Sequence, residues 1–477
     1  MESDPRMQHH FHPTVLREYD IRGIIGETLS ADDARAIGRA FGTLLREAGG
    51  WTVAVGYDGR VSSPMLEHAL VEGLTASGCD VVRIGMSATP MLYYAEASGE
   101  EVHGGIQITG SHNPPNYNGF KMVFLGCPFF GADIQKLGKL AADGAFASGV
   151  GEVTTRDIMG AYVERLLEGL AGIDLAKLEG LRVGWDAGNG AAGPALEALA
   201  ARLPGEHHLL FTEVDGHFPN HHPDPTVEAN LTDLRALVAD KQLDFGVAFD
   251  GDGDRIGAID GTGRIIWGDQ LLMIYAEDLL KNRPNATIIA DVKASRVLFD
   301  RVAQLGGEPL MWKTGHSLIK SKMKETGAPL AGEMSGHVFF ADDYYGFDDA
   351  LYAGVRLLAA SARLGQSVTQ LRGAIPPMRN TPELRFQVDE SRKFAAMAEI
   401  AGRLTTNPGP AVESVNAIDG VRVNTADGWW LLRASNTQDV LVARAESETP
   451  EGLDRLLAQI DEQLALSGLE RGESIGH

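Results

Sequence analysis

Three stretches of the chain repeat one pattern of apolar and polar positions. "WTVAVGYDGR" (51–60), "LRVGWDAGNG" (181–190) and "ATIIADVKAS" (286–295) are each a short apolar run that ends in an aspartate: Asp58, Asp186 and Asp291. Runs of this length and β-rich character predict buried strands. After the first, Met65, Leu66, Ala69, Leu70 and Leu74 fall three and four apart, the spacing of a helix with one apolar face. Helix-like stretches also follow the other two. Each repeat then has a second apolar run, "CDVVRIG", "HHLLFTEVDG" or "EPLMWKTG". A third run leads into a dense polar loop: "GGIQITGSH", "LDFGVAFDGDGDR" and "GAPLAGEMSGH". Strands alternating with helices imply right-handed crossovers and mixed, largely parallel sheets covered on both faces. Such sheets bind ligands outside the carboxyl ends of their strands. The pattern predicts three related α/β domains, each presenting a different polar loop at the corresponding place.

From "IPPM" (375–378) onward the repeat stops. A strand-like "ELRFQV" and a helical stretch precede "VRVNTADGWWLLRASNTQDVLVARAES", where Asp427-Gly428 between alternating runs signals a hairpin. "PEGLDRLLAQIDEQLAL" reads as an amphipathic helix with Pro450 near its start. These features predict a small C-terminal α+β domain with an antiparallel sheet. The expected domains are residues 1–156, 157–264, 265–376 and 377–477.

Composition narrows the class. The chain has 477 residues, 44% hydrophobic and 22% charged, which is ordinary for a multidomain globular protein. No apolar run approaches the ~18 residues that span a bilayer, and "MESDPRMQHHFHP" lacks the apolar core of a signal peptide. Only Cys79 and Cys127 are present, so the expected setting is a reducing cytoplasm without disulfides. A formal charge of -23 disfavours nucleic acid and anionic membrane as partners. An anionic small molecule would need a locally basic pocket.

The polar loops carry the candidate chemistry. "DGDGDR" (250–255) sets Asp250, Asp252 and Asp254 at alternate positions, and three such carboxylates repel one another unless a cation holds them. Oxygen ligands suit Mg²⁺ or Ca²⁺. A calcium EF-hand needs Gly at its sixth position and Glu at its twelfth, where this chain has Arg255 and Gly261. In "ITGSHNPPNYNGFK", Ser111 lacks the G-x-S-x-G setting of a nucleophile elbow, since its flanks are Thr109 and Asn113. Adjacent Ser111 and His112 side chains are not expected to face each other, and a loop serine satisfying nearby backbone groups is the ordinary reading. Pro114 and Pro115 stiffen the loop, however, and a phosphate on Ser111 would complete the coordination of an aspartate-bound metal. "GEMSGH" offers Glu333, Ser335 and His337, a set suited to adjacent sugar hydroxyls. His337 has no second histidine at metal-ligand spacing. "RASNT" (433–437) offers a guanidinium fork, two hydroxyls and an amide for a phosphate group. "NHHPDP" (220–225) reads as a structured turn.

Together the four loops resemble those of the α-D-phosphohexomutase family, particularly its bacterial phosphomannomutase/phosphoglucomutase branch, from "YDIRG" (19–23) to "RASNT". The resemblance implies three related α/β domains followed by a domain of TATA-binding-protein-like topology. By the same resemblance Ser111 would be phosphorylated, and Asp250, Asp252 and Asp254 would hold Mg²⁺ with its phosphate. Arg22 and Lys121 would assist proton transfer, while His112 and Arg255 would line the reacting centre. Glu333, Ser335 and His337 would bind sugar hydroxyls, and Arg433, Ser435, Asn436 and Thr437 the non-reacting phosphate. Tyr19, Lys293 and His316 match positions that shape the substrate pocket. The implied activity interconverts hexose 1- and 6-phosphates of mannose or glucose, with a hexose 1,6-bisphosphate (glucose 1,6-bisphosphate) as activator and intermediate. Met334 leans toward glucose and mannose rather than glucosamine substrates. Gln438-Asp439 departs from relatives, which commonly have an acidic residue and then proline. Phosphoglucosamine mutase, a Ser-nucleophile phosphatase and a non-catalytic sugar-phosphate binder are the rival readings. A monomer fits, with the oligomeric state left open.

Overall fold

A computed structural model describes residues 8–435 and 439–472. Four sheets follow one another along the chain. The first is built from β1 (Ile21–Ile24), β2 (Thr52–Tyr57), β3 (Asp80–Met86), β4 (Gly104–Ile108), β5 (Tyr117–Phe124), β6 (Cys127–Pro128) and β7 (Val153–Thr155). Its order is β1-β5-β4-β2-β3-β7, with β6 beside β5. The second comprises β8 (Arg182–Asp186), β9 (Glu206–Leu210), β10 (Phe245–Phe249), β11 (Ile256–Asp260) and β12 (Ile265–Ile266), in the order β12-β11-β10-β8-β9. The third has β13 (Thr287–Asp291), β14 (Glu308–Trp312), β15 (Leu330–Gly332) and β16 (Val338–Phe340), ordered β14-β13-β15-β16.

The repeat read from the sequence is present as topology. In each of the three sheets one strand (β2, β8 or β13) lies between two parallel neighbours, and the third strand turns back into an antiparallel fourth. The serine, aspartate and "GEMSGH" loops all occupy that same third-to-fourth turn. The aspartate closing the first strand recurs in function as well. Asp58 accepts from the Gly110 amide at 3.1 Å, and Asp291 from the Met334 amide at 3.2 Å, so each anchors the signature loop beside it. Asp186 instead accepts from His221 at 2.8 Å, which pins the "NHHPDP" segment as a turn.

The fourth sheet is antiparallel throughout: β17 (Arg379–Asn380), β18 (Leu384–Gln387), β19 (Val412–Asn416), β20 (Val421–Thr425), β21 (Gly428–Ala434) and β22 (Val440–Ser447). Helices Glu390–Thr406 and Pro450–Ala465 pack on it around Trp430, Ile400, Leu456 and Ile460. Thr425 and Gly428 pair at the end of the β20–β21 hairpin, where Asp427-Gly428 predicted it.

Separate cores for the α/β units would follow from length alone; the first unit keeps its own around Phe41, Ile106 and Phe120, but the second and third share one that also takes in part of the first. One apolar cluster runs from Leu92 through Trp185 and Phe249 to Phe340 and Leu358. Helix Ala350–Leu364 explains the merger: every residue but Arg363 is buried, because it packs against β10, β11 and helices Met159–Leu167 and Gly268–Asn282. An all-round apolar helix has no solvent face to offer, so it becomes a shared pillar. None of the described helices is long and apolar enough to cross a membrane.

Candidate active site

The three equivalent turns meet one another, and Arg433 at the end of β21 is linked to them through Asp419 and Thr314. Ser111 takes a left-handed backbone conformation, φ 49°, which lifts its hydroxyl out of the β4–β5 turn. Its Oγ donates to Asp250 Oδ2 at 3.0 Å, joining the first polar loop to the second. That approach requires a glycine: a Cβ on Gly251 would stand 2.5 Å from the Ser111 carbonyl oxygen. Contrary to expectation, His112 does face Ser111, with Nδ1 3.2 Å from Oγ. Burial, reinforced by Arg255, Arg22 and Lys121, pushes His112 well below the usual imidazole range, so the ring is neutral.

The aspartates are fully buried. Asp250 Oδ1 accepts from the amides of Gly253, Asp254 and Arg255, which folds the loop around it. Burial and the charges of Asp252 and Asp254 raise Asp250 well above the carboxylate range. For Asp254 burial opposes ionisation, yet Lys121 and His337 hold it well below that range. Lys121 donates to both Asp252, at 2.7 Å, and Asp254, and these charges outweigh its burial and keep it an ammonium. Asp252 Oδ1 and Asp254 Oδ1 accept no hydrogen bond from the described residues. Orphaned, converging carboxylate oxygens are what a hard divalent cation satisfies. Asp250, Asp252 and Asp254 therefore form a group able to hold a metal.

The sugar-loop candidates lie against this centre. Arg255 Nε is 3.3 Å from His337 Nε2, and His337 Nδ1 lies 2.9 Å from Glu333 and 3.1 Å from Ser335 Oγ. Burial works against charge on His337, but Asp254 outweighs it and its pKa rises to about 9. His316 stacks near His337, the ring centroids 5.4 Å apart. Tyr19 donates to the Thr314 carbonyl at 3.0 Å, bringing the first unit to the third. Arg22 pairs with Asp20 and donates to Asn113 at 2.6 Å within the serine loop.

The fourth unit closes the ring. Arg433 Nε donates to Asp419 at 3.1 Å, and the same carboxylate oxygen accepts from the Thr314 amide at 3.0 Å. Lys293 reaches across to Glu383 at 3.1 Å. Ser435 is buried beside them, its amide donating to the Val440 carbonyl at 3.0 Å. Asn436 and Thr437 lie outside the described residues. Asp439, the departure noted in the sequence, is about half-exposed and lies 3.8 Å from Lys393.

Sequence reasoning missed several residues. Arg60 lies fully buried beneath the serine loop, donating to the carbonyls of Ser111 (2.7 Å), Asn113 (2.6 Å), Pro114 (2.5 Å) and Tyr117 (2.9 Å), and to Asp58 (3.2 Å). Thr89 donates its hydroxyl to Asp252 at 2.5 Å. Asp348 stands beside His337 and His316. The only signal for Arg60 was its place two residues after the strand-closing Asp58; Thr89 and Asp348 carried none.

A serine hydroxyl hydrogen-bonded to an acidic loop able to hold a metal, ringed by buried cations at the strand ends of three α/β units, defines a phosphate-handling protein of multidomain α/β type. The chain belongs to the phosphoglucomutase/phosphomannomutase family. Models of its alpha/beta/alpha domains I, II and III match residues 13–148, 160–263 and 267–378, and that of its C-terminal domain matches 383–463. A phosphomannomutase/phosphoglucomutase of Pseudomonas aeruginosa is 45% identical over 451 residues, covering 94% of this chain and 95% of that one. A phosphoglucomutase of Neisseria gonorrhoeae is 44% identical over 452 residues, covering 93% and 95%. The crystal structure of a family member from Burkholderia thailandensis superposes with a TM-score of 0.89 at 44% identity, covering 98% of this chain and 100% of that one.

Proposed function

We propose that this chain is a phosphohexomutase that interconverts hexose 1-phosphates and 6-phosphates of glucose and mannose through a phosphorylated Ser111. The single observation that carries the reading is the 3.0 Å contact between Ser111 Oγ and Asp250, since it sets a nucleophilic hydroxyl on the metal-holding loop. Asp250, Asp252 and Asp254 would hold Mg²⁺, which supplies charge neutralisation at the phosphoryl oxygens. The residues around the serine supply the rest.

Phospho-Ser111 gives its phosphoryl group to the free hydroxyl of the bound sugar phosphate, breaking the serine P–O bond and forming one to the sugar, while the hydroxyl proton passes in net to the released Ser111 oxygen. The product is a hexose 1,6-bisphosphate, which turns end for end and returns its other phosphate to Ser111. At that return His112, neutral and 3.2 Å away, is placed to take the serine proton. Lys121 acts as a fixed charge, because Asp252 and Asp254 keep it cationic against its burial, and the Arg22 guanidinium, paired with Asp20, adds a second. Arg255 lines the same centre beside His337. Glu333, Ser335 and His337 read the sugar hydroxyls, with Tyr19, Lys293 and His316 bounding the pocket. Arg433 and Ser435, continued by Asn436 and Thr437, hold the phosphate that does not react. A sugar loop and one phosphate loop that serve both orientations suit such a near-symmetric intermediate. Cys79 and Cys127, both free, fit a cytoplasmic setting.

The test is to supply glucose 1,6-bisphosphate and Mg²⁺ and locate the phosphate by peptide mass spectrometry. Phosphate on Ser111 is expected, with glucose and mannose 1-phosphates isomerised without net release of inorganic phosphate. Ser111→Ala is expected to slow turnover at least about 10³-fold while keeping its fold. An undiminished initial rate, or phosphate release matching isomerisation, sinks the reading. A preference for glucosamine 1-phosphate in kcat/KM would move the substrate assignment to that sugar.

A further inference from the structure

Beside the aspartate triad lies a second cluster of ligand atoms whose chemistry differs. Asp254, His337 and Asp348 bring one carboxylate oxygen, one imidazole nitrogen and another carboxylate oxygen within 4.8 Å of one another, and all three residues are buried. His337 Nε2 lies 3.4 Å from Asp254 Oδ1 and 3.9 Å from Asp348 Oδ2. His316 Nδ1 stands 3.7 Å from that same Asp348 oxygen. Ligands about 2.0–2.2 Å from a tetrahedral ion sit roughly 3.3–3.6 Å from each other, so the 3.4 Å separation fits one small cation and the 3.7 and 3.9 Å separations need only a slight contraction.

Two further observations point inward. Asp254 Oδ1, Asp348 Oδ2 and His316 Nδ1 make no hydrogen bond among the described residues, although the two carboxylates have no solvent exposure. The far side of each ligand is meanwhile fixed. Lys121 holds the other Asp254 oxygen, Lys320 the other Asp348 oxygen at 2.9 Å, and Glu333 the His337 Nδ1 at 2.9 Å. A carboxylate bound to the outer nitrogen of a histidine is the arrangement that orients metal-ligating imidazoles.

We propose that Asp254, His337 and Asp348, with His316 Nδ1 beside Asp348 as a further donor, form a second divalent-cation site that takes a nitrogen-preferring transition metal such as Zn²⁺ or Co²⁺, sharing Asp254 with the triad. Imidazole donors select such ions over Mg²⁺, which keeps the all-oxygen triad. The free Asp254 oxygen, Oδ1, is common to both clusters, since Lys121 holds Oδ2, and a shared carboxylate of this kind sets two ions about 3.5–4 Å apart. Arg255 competes through a single 3.3 Å contact to His337 Nε2, and its guanidinium retains Asp250 and Asp224 as neighbouring countercharges when displaced. Occupation consumes His337 and His316, so the ion inhibits the mutase. Only this consequence rests on the proposed function; binding itself does not.

Cobalt is the probe, because it counts and reports its ligands by visible absorption. Metal-free protein without substrate is titrated with Co²⁺ by equilibrium dialysis and spectroscopy. Wild type is expected to take two ions and Asp348→Asn one. Asp250→Asn, which touches only the triad, is expected to keep one ion together with the intense band of low-coordinate, nitrogen-ligated cobalt. That band should be missing from Asp348→Asn. A single ion in wild type, or the wild-type count and band in folded Asp348→Asn, overturns the proposal. Should circular dichroism show Asp348→Asn unfolded, His316→Ala decides instead: the second ion is expected to bind at least about tenfold more weakly, and unchanged affinity refutes the site. Because no turnover is measured, the outcome is independent of whether Ser111 is the nucleophile.

Discussion

Arg60 shows how a single side chain can set the geometry of a reacting group it never touches through its own chemistry. All of its N–H directions end on the serine loop or on Asp58, so the loop is shaped from beneath by one planar fork. Lysine offers three donors from a point charge and cannot reproduce five directions. Arg60→Lys is expected to lower kcat about 100-fold with little change in KM, because a displaced nucleophile loses its alignment while the sugar contacts stay intact. Steady-state kinetics checks this; wild-type kcat would show that the prolines alone hold the loop. Arg60 could not be read as such from "YDGR", since an arginine three residues beyond a strand is usually at the surface. Ser111 and the aspartates were legible, because their spacing is local.

At the level of elements, the first unit depends on two helices that approach backbone to backbone. Helices Ala31–Glu47 and Ser63–Ala76 cross at Gly38 and Gly73. A Cβ on Gly38 would lie 2.3 Å from the Leu70 carbonyl oxygen, and one on Gly73 2.2 Å from that of Arg35. Backbone cannot move aside as a flexible side chain can. Gly38→Ala is expected to destabilise the protein by about 1–3 kcal/mol, read as a lower urea midpoint, while activity per folded molecule is kept. An unchanged midpoint would mean the helices slide apart freely. The helix periodicity of Leu66, Ala69, Leu70 and Leu74 predicted the buried face, while Met65, read with them, is exposed; it did not predict how closely the partner comes.

Over the whole molecule, the Thr314–Gly315 peptide is held from three units at once. Tyr19 binds the Thr314 carbonyl, Asp419 the Thr314 amide, and Glu333 the Gly315 amide at 2.6 Å. Asp419 also aims Arg433, so closure of the fourth unit is coupled to the sugar loop. Asp419→Ala is expected to raise KM for the sugar phosphate about tenfold with a smaller change in kcat; equal losses in both would point to a defect at the serine instead. Lys293 and Glu383 tie the same units. Burial opposes ionisation of Glu383, but Lys293 and Arg385 hold its pKa far below the ordinary range. A depressed acid stabilises the fold above its unfolded pKa, roughly 4.3, and that contribution is lost as pH falls below it. Glu383→Gln is therefore expected to cost about 1.5–3 kcal/mol at pH 7, the gap to wild type narrowing as pH drops below about 4. A gap independent of pH would remove the ion pair as its cause.

The sequence by itself determined the triplicated strand–helix pattern, the three loops at equivalent turns, and the alternate aspartates of "DGDGDR". Each is written in residues a few positions apart, where strand and helix periods and carboxylate repulsion act directly. Only the tertiary structure decided which loops meet. Ser111 and Asp250 are 139 residues apart in sequence and 3.0 Å apart in space, and no local pattern encodes that approach. The same holds for helix Ala350–Leu364, whose apolar surface says that it is buried but not that it joins the second and third units in a shared core. Asp348 gained its meaning in the same way, because a lone aspartate becomes a ligand only when packing brings two histidines and a second carboxylate to its free oxygen.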